Sequence, residues 1–143
     1  MTGIYSVGEN PTIDILMPAE LDSGYLWVAI ADVSGNLFNI LPNINRQEHA
    51  LAEIGAVAEG MRDVRVAHSL AEQAQDGRRL AFLVDDTFGK TLVMALHTDR
   101  PLFGELRPTN ESVRAFAEDL AEVLAADEVT VHAIATRLID SRK

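Results

Sequence analysis

Seven consecutive apolar residues, Tyr25–Ala31 (YLWVAIA), constrain the fold more than any other part of the sequence. Successive side chains of a strand point to opposite faces, so a strand here is apolar on both faces. Such a strand is typical of the interior of a sheet that is covered on both sides. Trp27 and Tyr25 share one face, where we expect them to pack in the core rather than to form an exposed aromatic platform. The chain must therefore supply a covering layer for each face.

A β-hairpin is predicted directly after this strand. Residues 32–36 (DVSGN) tolerate positive φ or bond their own backbone, and residues 37–41 (LFNIL) alternate as a second strand. Pro42 has no N–H for a central ladder, and Asn43 favours a turn. We therefore interpret Leu41-Pro42-Asn43 as the end of the hairpin and not as a functional site.

Strand patterns recur along the rest of the chain. Alternating or uniformly apolar runs bounded by turn residues occupy residues 12–17, 64–68, 80–84, 90–96 and 129–139. Residues 85–89 (DDTFG) separate two of these runs, which predicts a second hairpin. The last run is β-branched and alternating, and we expect it to lie at a sheet edge.

The clearest helical pattern covers residues 111–125, before which Asn110 can act as the N-cap. Its apolar residues recur with the helical period and form one stripe: Val113, Phe116, Ala117, Leu120 and Leu124. This face is expected to pack on a sheet.

Two shorter helices are also predicted. Apolar residues with helical spacing predict one within residues 46–60, although Gly55 weakens it. Ser69 and Glu72 fit a capping box at the start of the other.

Together these patterns predict a mainly β (α+β) fold. We expect an antiparallel β-sandwich-like domain of about seven strands, with one long C-terminal helix packed on a sheet and a final strand added after it. Residues 1–143 are expected to form a single globular domain. A chain of 143 residues that is 48% hydrophobic suffices for one core, and no repeat or low-complexity segment divides it.

The charge distribution argues against several classes of partner. The formal net charge is −10, and the first 45 residues contain five carboxylates and no Lys or Arg. Nucleic acids and anionic membrane surfaces require a basic footprint, so we expect neither as a partner. No apolar stretch approaches the ~20 residues of a spanning helix, which predicts a soluble domain without membrane insertion, in either the cytoplasm or the envelope. The absence of cysteine excludes disulfides and thiol chemistry.

Two histidine–carboxylate pairs are the strongest candidates for chemistry. His49 with Glu53, and His68 with Glu72, are each spaced i, i+4, which on a helix would place zinc or iron ligands on one face. Against this, His68 lies in a strand-like context, Glu72 fits a capping role, and no third motif completes a coordination shell. We therefore predict no catalytic residue, cofactor or metal. A small metal-binding or hydrolytic domain that uses these four residues is the alternative.

Two segments are candidates for a partner-binding surface. Residues 101–108 (PLFGELRP) form an apolar connection in which Leu102 and Phe103 either contact a partner or pack beneath the following helix. Val129 and Val131 begin the last strand, whose free edge would accept a strand from another polypeptide. The same edge could instead pair with its own copy and form a homodimer.

Several short motifs resemble a bacterial domain family of unknown function. They are Val7-Gly8-Glu9, Asp22-Ser23-Gly24-Tyr25-Leu26 at the start of the apolar strand, the Asp32-x-Ser34-Gly35 turn, the Leu41-Pro42-Asn43 strand end, the Phe88-Gly89 turn and Arg100-Pro101-Leu102. The likeness covers about residues 5–105 as a family-like β core, with the helix and closing strand at 110–139 as an extension. The strand end departs from the family pattern, because no aromatic residue precedes its proline.

The resemblance implies a β-sandwich and brings no catalytic residues with it. Domains of this family typically lie on the C-terminal side of bacterial multidomain proteins, after kinase-like or caspase-like domains, or in envelope proteins. The expected function is therefore a non-catalytic accessory or protein-recognition domain of a larger bacterial protein. Its partner would be another protein or a neighbouring domain of the parent chain.

Overall fold

Two β-sheets and one long helix form three layers in the computed structural model, which describes residues 2–6, 12–77, 79 and 89–142. The strands are β1 (Thr2–Ser6), β2 (Ile13–Pro18), β3 (Tyr25–Ala31), β4 (Asn36–Leu41), β5 (Ala56–Ala58), β6 (Met61–Ala67), β7 (Gly89–Thr98), β8 (Asn110–Ser112) and β9 (Val131–Arg142). The α-helices are α1 (Leu70–Gln75) and α2 (Val113–Ala125).

The larger sheet has the strand order β1-β9-β7-β3-β4-β8, and the smaller sheet has the order β2-β6-β5. Neighbouring strands are antiparallel, except that β1 runs parallel to β9. The predicted fold class is confirmed: a mainly β, α+β sandwich with one long helix and a final strand that follows it. Three short strands were not predicted, namely β1, β5 and β8. The predicted strand at residues 80–84, and with it the second hairpin, lies outside the described residues.

β3 lies in the middle of the larger sheet, as its apolar sequence predicts. It pairs with β7 on one side and with β4 on the other. Its even-numbered residues join the apolar cluster between the two sheets, whereas Trp27 and Ala29 join the cluster on the opposite face, under α2. Trp27 is only 1% exposed. The two covering layers therefore differ: one is a sheet and the other is a helix.

The turn between β3 and β4 forms as predicted. The Asp32 carboxylate accepts hydrogen bonds from the Ser34 hydroxyl (2.6 Å) and from the backbone N–H groups of Ser34 (2.9 Å) and Asn36 (3.1 Å). These bonds, above all the one from the Ser34 hydroxyl, hold the pKa of Asp32 below its ordinary value. β4 ends at Leu41, and the Asn43 side chain caps the turn that follows.

The prediction of a helix within residues 46–60 is wrong. A single 3-10 turn covers Leu51–Glu53, and β5 follows it. Gly55 (φ +79°) and Gly60 (φ +77°) lie in the left-handed region, which no α-helix contains. A Cβ on Gly55 would lie 2.8 Å from the carbonyl oxygen of Asp63, so glycine is required where the chain passes β6.

The long helix is confirmed, but it starts later than the pattern predicts. Asn110 belongs to β8, which pairs with β4, and Ser112 is the N-cap instead. The Ser112 hydroxyl accepts a hydrogen bond from the backbone N–H of Ala115 at 3.0 Å. In the part of the chain that the structure describes, no helix has the length and apolar character needed to cross a membrane.

The apolar stripe of α2 is also rotated from its predicted position. Phe116 is buried, and three partly buried residues pack around it: Val113, Leu120 and Val123. Ala117 and Leu124, both assigned to the stripe from the sequence, are exposed. The contacting face follows the i, i+3, i+7, i+10 positions from Val113, which are also one face of a helix.

Candidate functional site

The first predicted histidine–carboxylate pair is not on a helix. The His49 ring packs against Tyr25 and Trp27, with centroid separations of 5.1 and 5.9 Å. Its Nδ1 lies 3.2 Å from the Gln47 carbonyl oxygen, and its buried Nε2 has no hydrogen-bond partner among the described residues. Burial lowers the pKa of His49, which keeps the ring neutral near pH 7. Glu53 is exposed.

The two residues of the second pair, His68 and Glu72, have different surroundings. The Ser69 hydroxyl accepts a hydrogen bond from the Glu72 N–H (3.1 Å), and Glu72 Oε1 accepts one from the Ser69 N–H (2.9 Å), which confirms the capping box. Arg65 Nη1 donates to the same carboxylate at 3.0 Å and its other nitrogens bind Asp14, so Arg65 ties β6 to β2 and α1. His68 is buried before this helix. Within the described residues, no three His, Asp or Glu side chains are grouped to hold a metal ion.

Replacement of Glu72 by Gln should destabilise the protein in a pH-dependent way. The hydrogen bond from the Ser69 N–H, followed by that from Arg65, lowers the pKa of Glu72 from 4.5 to about 2. Because the folded-state pKa is the lower one, the stabilisation is present above the unfolded pKa and is lost as the pH falls toward 2. We expect Glu72→Gln to melt below wild type at pH 7, and the difference to shrink below about pH 4.5.

The exposed carboxylate of Glu53 provides the matched control. Glu53→Gln changes the net charge equally but removes no described hydrogen bond, so its melting curve should follow that of wild type. A Glu72→Gln protein that melts with wild type at pH 7 would contradict the capping and ion-pair account.

Most of the residues predicted for a partner surface are packed. Leu102 is 1% exposed and lies in the cluster under α2. Phe103 is half-buried, with its ring 5.0 Å from that of Trp27. Val129 is half-buried against the same cluster. For Leu102 and Phe103, the structure thus matches the alternative of packing beneath the helix. Val131 is half-buried at the start of β9.

The outer edge of β9 is the candidate interface. β9 pairs with β7 along residues 131–141, and from Leu138 onward it also pairs with β1. Among the described residues, the ladder has no strand on the outer side of residues 131–137, which we call the free half of β9. Its outward backbone groups are therefore placed to pair with another strand.

The free half of β9 has only part of the usual protection of an edge strand. Natural edges are commonly blocked by charged side chains, by Pro or by β-bulges. Residues 131–137 (VHAIATR) contain no proline and no carboxylate, their basic residues are His132 and Arg137, and Ile134 is 61% exposed. One irregularity is present, a register shift at the Thr98 end of β7. Between this shift and Arg137, residues 133–136 form an uncharged and regular stretch of the edge.

An apolar groove of about 170 Å³ lies beside this edge, between the two sheets. Residues 12–16 line it from the smaller sheet, and Val93, Ala95, Ala135, Thr136, Arg137 and Ile139 line it from the larger sheet. Asp14, the one carboxylate among its described lining residues, is paired with Arg65. The groove has room for an apolar side chain of a strand laid against β9.

Comparisons with known proteins assign no family. No protein-family model matches the chain, and neither a curated protein nor a solved structure matches it. The resemblance to the bacterial family of unknown function therefore stays a prediction.

Proposed function

We propose that this chain is a non-catalytic recognition domain, an accessory part of a larger bacterial protein, that binds an extended polypeptide by strand addition. The site is the free half of β9. The observation that supports it is a strand edge that is uncharged from Ala133 to Thr136 and unpaired among the described residues, directly beside an apolar groove. In strand addition, main-chain hydrogen bonds provide affinity and pockets for alternate side chains provide specificity.

The cross-strand register defines what the two faces of an added strand would meet. Ala135 lies opposite Ala95 and therefore on the groove face, whereas Ile134 lies opposite Leu96 and on the α2 face. The small side chain of Ala135 leaves space for a larger apolar residue of the ligand to enter the groove. Ile134 offers a contact to an apolar residue on the other face. The preferred ligand thus has apolar or β-branched residues at successive positions.

Charge sets the preference at the ends of the ligand. The domain has a formal net charge of −10, so a segment flanked by Lys or Arg is attracted and one flanked by Asp or Glu is repelled. The proposed partner is accordingly an extended, apolar segment with basic flanks. It belongs either to another protein or to a neighbouring part of the parent chain.

Selection from a library of displayed random peptides tests this proposal. Wild type should enrich peptides with a short β-branched or aromatic run and basic flanks. Ala135→Arg fills the groove with a charged side chain, and Ile134→Lys places a protective charge on the edge. Each variant should weaken binding of the enriched peptides by at least about tenfold, as judged by fluorescence anisotropy.

Ile44→Lys is the matched control, because Ile44 is 71% exposed and lies outside β9 and its groove. It should bind the enriched peptides as wild type does. Equal binding by all three variants, or no enrichment at all, would contradict the proposed site. A wild-type dimer that Ile134→Lys converts to a monomer would show instead that the edge pairs with its own copy.

A further inference from the structure

A second concavity, of about 460 Å³, lies on the β4 side of the larger sheet, away from β9. The loop after β4 forms one wall, with Arg46 and polar neighbours such as Asn45 and Gln47. Arg79 contributes to another wall. Unlike the groove beside β9, this pocket is dominated by polar side chains.

The two arginines of the pocket are not neutralised within the described residues. Arg46 Nη1 donates to the Arg65 carbonyl oxygen at 2.5 Å, and Arg79 Nη1 donates to the Glu72 carbonyl oxygen at 3.3 Å. No ion pair joins either guanidinium to a carboxylate in the described part of the chain, whereas Arg65 itself binds two. This is notable in a protein with 22 carboxylates and 12 basic residues.

Arg46 and Arg79 line the same pocket, and their like charges repel each other. Burial, and after it the positive charge of Arg79, lowers the pKa of Arg46. Half-buried like charges without an ion pair in the described part of the chain raise the energy of the empty pocket. An anion placed between the two guanidinium groups would be attracted to both and would offset their repulsion.

We propose that this pocket binds a small phosphorylated polyol, whose phosphate lies between Arg46 and Arg79. Guanidinium groups form charge-assisted and often bidentate hydrogen bonds with phosphate oxygens. The volume lies within the ~300–1,000 Å³ that is typical of small-molecule sites, so a phosphate group alone would leave most of it empty.

The other residues that line the pocket indicate which chemical groups the ligand carries besides its phosphate. Glu48 and Asp76 line the pocket, as does His68. The Glu48 carboxylate, which accepts a hydrogen bond from the Ala50 N–H, disfavours a second anionic group and has further lone pairs for hydroxyl groups. Asn45 and Gln47 offer further amide donors and acceptors. A neutral, hydroxylated body with one phosphate fits this set, and the site does not depend on the proposed strand addition at β9.

Calorimetric titration with ribose 5-phosphate, inorganic phosphate and ribose tests the assignment. Wild type should bind ribose 5-phosphate saturably and more tightly than inorganic phosphate, and should not bind ribose. Arg46→Gln and Arg79→Gln should each weaken ribose 5-phosphate binding by at least about tenfold. Arg114→Gln removes the same charge from an exposed position on α2 and should leave the affinity unchanged.

Arg79→Gln keeps the test decisive if Arg46→Gln fails to fold, because the described bond of the Arg79 side chain is a single one of 3.3 Å. Absence of ribose 5-phosphate binding to folded wild type would overturn the proposal. So would equal affinity in the Arg79→Gln and Arg114→Gln proteins. Binding of inorganic phosphate as tight as that of the ester would refute the polyol assignment.

Discussion

Phe116→Asp is expected to leave the protein unfolded. Phe116 is 2% exposed at the contact between α2 and the larger sheet, where its ring lies 5.6 Å from that of Phe103. The change removes the ~1.5–3 kcal/mol contributed by burying a large apolar side chain and adds the cost of burying a polar or charged group. Since a domain has about 5–15 kcal/mol of stability in total, most of it should be lost. Circular dichroism should show no cooperative thermal transition.

Ala121→Asp places the same side chain on the exposed face of α2 and is the control. It should retain a cooperative transition close to that of wild type. If Phe116→Asp also melted within a few degrees of wild type, α2 could not cover the sheet as described.

Asn39→Leu is expected to lower the free energy of unfolding by about 3 kcal/mol. Asn39 is fully buried, and each end of its amide is satisfied. Its Oδ1 accepts from Trp27 Nε1 at 3.0 Å, and its Nδ2 donates to the Pro108 carbonyl oxygen at 2.9 Å and to Glu111 Oε2 at 2.6 Å. Leucine has similar volume but leaves the indole N–H without this acceptor. Urea denaturation should report the loss.

A double-mutant cycle separates this network from simple packing. Trp27→Phe removes the indole N–H, so Asn39→Leu should cost about 1 kcal/mol less in that background than in wild type. Additive effects of the two substitutions would contradict the role assigned to the hydrogen bond.

The same network holds the segment before β8 against α2. Glu111 binds Arg107 through two hydrogen bonds of 2.8 and 2.5 Å, and Arg107 Nη1 reaches Asp119 at 2.8 Å. The guanidinium also lies 4.5 Å from the centre of the Phe103 ring. The hydrogen bond with Glu111, followed by that with Asp119, raises the pKa of Arg107. These contacts help to hold Phe103 under α2, whereas Leu106 of the same segment is 42% exposed.

Features of the fold that depend on residues close together in the sequence could be predicted from it. The burial of β3, the Asp32 turn and the Ser69 capping box each follow from a pattern within a few residues. β5 and β8, with three residues each, are too short for any period and exist because longer strands pair with them. The failed helix at residues 46–60 has apolar spacing that fits a helix, but its glycines adopt positive φ.

The candidate sites likewise combine features that a local sequence pattern predicts with features that depend on distant segments. The alternation of the last strand predicted an edge, but not that β1 covers the half from Leu138 onward. The groove forms where β2 approaches β9, from opposite ends of the chain, so no local pattern could reveal it. The polar pocket is likewise lined by residues that are far apart in the sequence, such as Arg46 and Arg79. One signal was available: Arg46 is the first basic residue, after 45 residues without any.

Amide hydrogen exchange along β9, measured with and without an enriched peptide, tests the central claim most directly. In the free protein, alternate amides of residues 131–137 should exchange rapidly while those of β3 stay protected. Saturation with peptide should slow the rapid β9 amides and leave the rest of the larger sheet unchanged. Protection of every β9 amide in the free protein, or slowing confined to a different strand, would contradict recognition at this edge.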